Sequence, residues 1–406
     1  MARLNLEQLL EELCHADDLL IIQDLDGVCI PLVKDPLTRR MDRDYVLAAS
    51  ALEGTFMVLT NGEHEGRRGV NRLVEKALGN QGKPADQGLY LPGLAAGGVQ
   101  LQDRFGAVSH PGVNLAEIDF LSTLPERMRT ALDKRLSTLM PHLSNQNRES
   151  QVQLAVLDTQ LSPTINLNGL FSLIPNDIET QKKLQCMLEE LMNEMLSEAE
   201  KEGLFESFFL HVAPNLGHDG KRERLKPSKS GDVGTTDIQF MLRGAIKEAG
   251  LLVLINQHIT RRYGKAPLGK DFNARTAPKS HGELLELAKE RISPEQMPVL
   301  VGVGDTVTSN QCLETGAWLR GGSDRGFLHL IQDLGKLFKR PNRVLLVDSS
   351  SGEIDRPSID DDRLTGISDP EDPLSFDVLI SSGPSGYVKW FRKLAEKRAA
   401  QWKTKR

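Results

Sequence analysis

Residues Leu19-Leu20-Ile21-Ile22-Gln23-Asp24-Leu25-Asp26-Gly27-Val28 decide how the rest of the chain is read. Four apolar residues run without a break toward two carboxylates and a glycine. An unbroken apolar run suits a strand covered on both faces, as in a parallel sheet. The pattern recurs. Thr55–Leu59 runs into Thr60-Asn61-Gly62, Pro298–Val303 into Gly304-Asp305-Thr306, and Val344–Val347 into Asp348-Ser349-Ser350. Residues 4–15 carry leucines at helical spacing, and helix-like stretches at 65–78, 281–291 and 325–339 lie around the strands. This alternation predicts an α/β fold with a mostly parallel sheet. Such sheets bind ligands beyond the carboxyl ends of their strands. That is where the sequence puts Asp24, Asp26, Thr60 and Asp305.

The middle of the chain has another texture. Residues 115–140 and 178–201 read as helices. Gln151–Leu157 alternates apolar and polar residues, which predicts a half-exposed strand of an antiparallel sheet. Phe205, Phe208, Phe209 and Val212 suggest a second. The expected organisation is a core of residues 1–108 and 276–406 interrupted by an α+β cap over 109–275. Residues 352–373, rich in Asp and Pro, read as a solvated loop.

Length and composition narrow the class. With 406 residues the chain has room for two or three domains. Fifty basic against 56 acidic residues give a net charge of −6, which disfavours a general binder of nucleic acid. The densest apolar run, Leu251–Ile255, is far short of a membrane span. The acidic first residues do not read as a secretion signal. Four widely spaced cysteines, with no C-x-x-C pair, predict reduced thiols and a cytoplasmic protein.

Asp24-x-Asp26 carries the chemistry. A βα turn favours Asp and Gly for conformational reasons alone. Two carboxylates after a buried strand nevertheless repel each other, and a hard cation or a shared proton relieves that cost. Asp305, at another strand end, supplies a further oxygen ligand of the kind Mg²⁺ takes.

These residues resemble the motifs of the haloacid-dehalogenase superfamily of phosphatases. Asp24-Leu25-Asp26-Gly27-Val28 matches the first, Leu59-Thr60-Asn61-Gly62 the second, and Val303-Gly304-Asp305 the fourth. The third is a lysine opening a helix; Lys279, in Pro278-Lys279-Ser280-His281-Gly282-Glu283, fits that context, with Lys270 as the alternative. The resemblance implies a Rossmann-like core and a Mg²⁺-dependent phosphomonoesterase. Asp24 becomes the nucleophile that forms an aspartyl-phosphate, and Asp26 the general acid and base. Thr60, Asn61 and Lys279 hold the phosphoryl oxygens. Asp24, the Asp26 carbonyl and Asp305 hold the metal. Where the family often has a second acid, four residues after Asp305, this chain has Ser309, followed by Asn310.

Only 33 residues separate Asp26 from Thr60, while 218 separate Thr60 from Lys279. The large cap therefore follows the second motif, with Gly97–Leu101 expected as the core strand before it. Sugar-phosphate phosphatases, including sucrose-phosphate phosphatase, have this arrangement. The stretches DLDGVCIPLVKDPLTRRMDRDYV, LTNGEHEGRRGVNRLVEKAL and GVGDTVTSNQCLETGAWLRGG look closest to a branch of them that releases a neutral compatible solute under salt stress. The implied partner is a small sugar phosphate, with neither nucleic acid nor membrane. The nearest rival reading is the same chemistry on sucrose 6-phosphate or another sugar phosphate; a non-catalytic regulator of the same fold is the rival from a different class.

Other features carry less. Gly264–Lys270 nearly matches a nucleotide loop, but Asp271 stands where Ser or Thr is needed. Lys221, Arg222, Arg224, Lys226 and Lys229 read as a solvated loop or as an edge that attracts an anionic substrate. His64 reads as a surface-turn residue, Tyr90 and Trp318 as packing, and residues 388–406 as a basic helix docked on the surface.

Overall fold

The computed structural model describes residues 3–79, 82–220, 222–359 and 363–404. In chain order the first strands are β1 (Leu19–Gln23), β2 (Phe56–Leu59), β3 (Gly93–Ala95), β4 (Gln100–Gln102) and β5 (Val108–Ser109). The middle supplies β6 (Val156–Leu157), β7 (Thr164–Asn166), β8 (Phe208–Ala213), β9 (Asn215–His218), β10 (Glu223–Leu225) and β11 (Asp237–Leu242). The last part adds β12 (Val299–Gly304), β13 (Thr308–Gln311), β14 (Trp318–Gly321), β15 (Arg343–Val347) and β16 (Val378–Ile380).

Eight strands form the core sheet in the order β16-β15-β12-β1-β2-β3-β4-β5. The first six run parallel, and β4 and β5 turn antiparallel at one edge. Strand β1 lies at the centre, with Ile21 opposite both Phe56 and Val301. Its five residues are all buried. Leu19 and Ile21 join one apolar cluster with helices Leu6–Cys14, Arg43–Ala51, Val70–Leu78 and Gly383–Thr404. Leu20 and Ile22 join the cluster on the other face, with helices Lys247–Tyr263, His281–Arg291 and Arg325–Phe338. Two covered faces explain why the strand sequence shows no alternation.

The cap has its own core. Helices Leu115–Leu139, Asn145–Ala155 and Ile178–Lys201 cover an antiparallel sheet of order β6-β7-β11-β8. Several sequence expectations change here. The segment expected as a strand over 151–157 is helical to Ala155, started by Ser144, whose hydroxyl accepts from Asn147 N. Only Val156–Leu157 remains a strand; Val152 and Ala155 face inward while Leu154 is exposed. Phe205 is exposed, and its strand starts at Phe208. Before the cap, Ala96–Gly98 is a 3₁₀ turn, and strand β4 starts only at Gln100.

Helix Lys247–Tyr263 packs on β1, β2 and β3 rather than on the cap. We therefore propose to end the inserted region near Gly244 rather than at 275. Among its described residues the 352–373 segment is not uniformly solvated: Ile354, Ile359, Leu364 and Ile367 are buried, and Asp369 and Asp372 pair with Arg320 and Arg325. Asp360, Asp361 and Asp362 lie outside the described residues, as does Lys221 of the basic cluster. No helix among the described residues is long and apolar enough to cross a membrane. Trp390, Phe391 and Leu394 of the last helix are buried, with Trp390 Nε1 donating to Leu6 O.

Candidate active site

Asp24, Asp26, Thr60, Asn61 and Asp305 all sit at the carboxyl ends of β1, β2 and β12. The chain reverses at Gly27, whose φ of +81° is in the left-handed region. A Cβ there would stand 2.1 Å from Asp305 Oδ2, so the two strand ends approach only because residue 27 is glycine.

Asp24 is buried, and its Oδ1 accepts from Leu25 N. Its Oδ2 lies 2.6 Å from Lys247 Nζ, which also reaches Asp324 Oδ1 at 2.7 Å. Asp324, fully buried, accepts through Oδ2 from Asp305 N at 2.9 Å and Thr306 N at 3.0 Å. It thereby fixes the turn that presents Asp305. Asp24, Asp305 and Asp324 each offer an oxygen within 4.8 Å of the others. Both Asp305 oxygens are buried without a hydrogen-bond partner. An orphaned carboxylate beside two others is the donor set of a hard cation, so these residues fit one.

The charges are strained accordingly. Burial pushes the Asp24 carboxyl up to about 6, against the pull of Lys247 and with the repulsion of Asp324. Burial, then Asp324 and Asp24, raise Asp305 well above the carboxylate range. For Lys247, burial works against the charge, but Asp24 and Asp324 outweigh it and hold the ammonium protonated.

Asp26 is a third exposed and is held by Arg39 Nη1 at 2.7 Å. Thr60 is buried at the end of β2. Asn61 Nδ2 meets His211 Nε2 of the cap at 2.9 Å, and His211 Nδ1 meets Glu223 at 3.0 Å. Burial presses the His211 pKa down, yet the Glu223 carboxylate outweighs this and leaves it raised. A cleft of about 200 Å³ between core and cap is lined by Asp24, Asp26, Arg39, Thr60, Asn61 and Asp237. A larger compartment of about 550 Å³ shares Asn61 with it and is lined by His211, Glu223, Lys247, Lys279 and Arg320.

Lys279 is not brought to the carboxylates. Its Nζ donates to the carbonyls of Ala274 and Arg275 at 2.8 and 2.9 Å. Lys270 is exposed. The lysine that reaches Asp24 and Asp324 is Lys247, at the first turn of its helix. Ser309 donates to Asp369, and Asn310 pairs with Leu319 across the β13–β14 ladder. The third carboxylate beside Asp24 and Asp305 is that of Asp324. Lys226 is buried against Asp232 at 2.8 Å, so the basic cluster is not a uniformly solvated edge. His64 is fully buried, bonded through Nε2 to Gly93 O.

The chain matches the model of the glucosylglycerol-phosphate phosphatases over residues 18–395. It belongs to that family. It is 46% identical over 400 residues to a glucosylglycerol-phosphate phosphatase of Synechocystis sp., with 96% of this chain and 95% of the relative covered. The three stretches quoted earlier, DLDGV, LTNG and GVGDT at their heads, resemble the same glucosylglycerol-phosphate phosphatases. Among solved structures, the C-terminal domain of Candida albicans trehalose-6-phosphate phosphatase is similar, at 14% identity, TM-score 0.46 and 97% coverage of both chains. The C-terminal domain of the C. albicans trehalose synthase regulatory protein is similar at 8% identity and TM-score 0.47, covering 97% and 99%.

Proposed function

We propose that this chain is a cytoplasmic phosphatase that hydrolyses glucosylglycerol 3-phosphate to glucosylglycerol and phosphate. The observation that carries the reading is the buried Asp24 at the end of β1, gripped by Lys247 and facing a cleft closed by the cap. Asp24 attacks phosphorus and forms an aspartyl-phosphate. Asp26 protonates the leaving alcohol and later takes the proton of the attacking water. Arg39 holds that carboxyl in place. Thr60, Asn61 and Lys247 hold the phosphoryl oxygens, with Lys247 in the role first expected of Lys279. Asp24, the Asp26 carbonyl, Asp305 and Asp324 would hold Mg²⁺, which supplies charge neutralisation at the phosphoryl group. The larger compartment offers polar cap side chains for the glucosyl unit.

Phosphate release tests this directly. Asp24→Asn should abolish turnover. Asp26→Asn should bind substrate and turn over slowly, since general acid–base help is worth roughly 10²–10⁴-fold. Chelation should stop the reaction and Mg²⁺ restore it. Glucosylglycerol 3-phosphate should give much higher kcat/KM than glycerol 3-phosphate or sucrose 6-phosphate, because the glucosyl unit adds remote binding energy. Equal rates on the three would leave a general phosphatase. Full activity of Asp24→Asn would reject the mechanism.

A further inference from the structure

On the core face away from the sheet, His281 opens helix His281–Arg291, while His329 and Asp333 lie one turn apart on helix Arg325–Phe338. Both imidazoles point at a single carboxylate oxygen. Asp333 Oδ2 is 3.0 Å from His281 Nε2 and 3.3 Å from His329 Nε2. The two rings stack with centroids 4.6 Å apart, and the three ligand atoms fall within 4.8 Å of one another. All three residues are partly exposed, so an ion has a path in. This cluster shares no residue with the carboxylates around Asp24, and the proposed hydrolysis does not use it.

We propose that His281, His329 and Asp333 form a second metal site, selective for a borderline transition cation such as Zn²⁺. Tetrahedral zinc with bonds of about 2.0–2.1 Å sets its ligand atoms about 3.3 Å apart. The two N···O separations already sit close to that spacing. Two neutral imidazoles and one carboxylate leave a fourth position for water, and this donor set suits Zn²⁺, Co²⁺ or Ni²⁺ far better than Mg²⁺. Lys336 Nζ takes the other Asp333 oxygen at 2.8 Å and so leaves Oδ2 to the ion while fixing the carboxylate plane. A bound cation ties helix His281–Arg291 to the helix that starts directly after Asp324.

Calorimetric titration of the full chain with Zn²⁺, in excess Mg²⁺ to fill the oxygen-lined site, tests the assignment. Wild type should bind one equivalent, and added Co²⁺ should give the visible absorption of a tetrahedral site. His329→Ala and His281→Ala should each lose that equivalent, as should the milder Asp333→Asn, while Asp305→Asn should keep it. Zn²⁺ should raise the Tm of wild type and leave that of the histidine variants unmoved. The same stoichiometry in all three cluster variants would overturn the proposal by placing the zinc on a thiol or elsewhere. So would loss of binding in Asp305→Asn, or no binding to wild type.

Discussion

Lys247 holds two buried carboxylates on one ammonium, and that makes it the most consequential single residue of the site. Removing it leaves like charges buried together. In the proposed mechanism it also removes a donor to the phosphoryl oxygens, a loss worth roughly 10²–10³-fold in turnover. Lys247→Ala should therefore lower kcat by about that factor. Lys279→Ala, whose ammonium serves two backbone carbonyls, should leave kcat close to wild type. Steady-state phosphate release on both variants, with thermal melts to confirm folding, decides between them; equal losses would return the role to Lys279. Asp24, Asp26, Thr60 and Asp305 were legible because an apolar run announces the strand and its last residues lie at the sheet's edge by construction. Lys247 and Asp324 were not, because neither follows a strand of the core sheet directly. A usable signal did exist. Lys247 precedes Leu251–Ile255, the densest apolar run, and a helix apolar all round is one packed against the sheet.

His64 gives a second test at the same scale. Burial, with Gly93 O pulling the other way, brings its pKa down from 6.5 to about 4. The unfolded chain thus takes the proton first. Stability present above pH 6.5 should drain away as pH falls toward 4, by about 3 kcal/mol from this group. Denaturant titrations of wild type and His64→Gln across that window should diverge in slope; parallel curves would show that His64 does not take part.

Among elements, the segment after β2 joins core to cap. The Glu63 carboxylate, buried, accepts from Gln160 N, Leu161 N, Ser162 N and Ser162 Oγ. Arg67 and Arg68 reach Asp158 beside it. Glu63→Ala strands four donors, at a cost of about 1–3 kcal/mol for each one left buried and unpaired. It should lower Tm and speed amide exchange at 160–162 while exchange along β1 stays slow. Unchanged exchange at 160–162 would mean that the loop is held by other contacts. Helices with one clear apolar stripe were legible to within a few residues, as 281–291 shows. Gln151–Ala155 was not, since five residues with alternating apolar positions fit a strand as well as the end of a helix, and only the Ser144 cap upstream distinguishes them. The acidic 352–373 loop misled for a related reason. Charge suggests solvent until Arg320 and Arg325, distant in sequence, arrive to pair with it.

At the scale of the whole molecule, spacing points to a large insertion after the second motif, because only 33 residues separate the first two. Its end, which we propose near Gly244, has no such signal. Helix Lys247–Tyr263 is continuous in sequence with the cap yet belongs to the sheet, and only packing reveals which core a helix completes. Cap and core are tied at several places besides Glu63: Arg275 pairs with Glu117, and Arg356 donates to Gly234 O and Thr236 Oγ1. These ties keep the cap sheet over the strand ends, where the cleft lies.

The position of β1 between β2 and β12 also sets a timetable for synthesis. Its first neighbour, ending at Leu59, emerges soon after it, whereas its second is not finished until residue 304 has been made. For most of translation the strand that bears Asp24 waits with one side unpaired, while the cap, whose strands and covering helices form a continuous stretch of sequence, can fold in the meantime. The nascent protein is thus a finished lid attached to an unfinished sheet, and the strand ends around Asp24 are complete only when its last third leaves the ribosome.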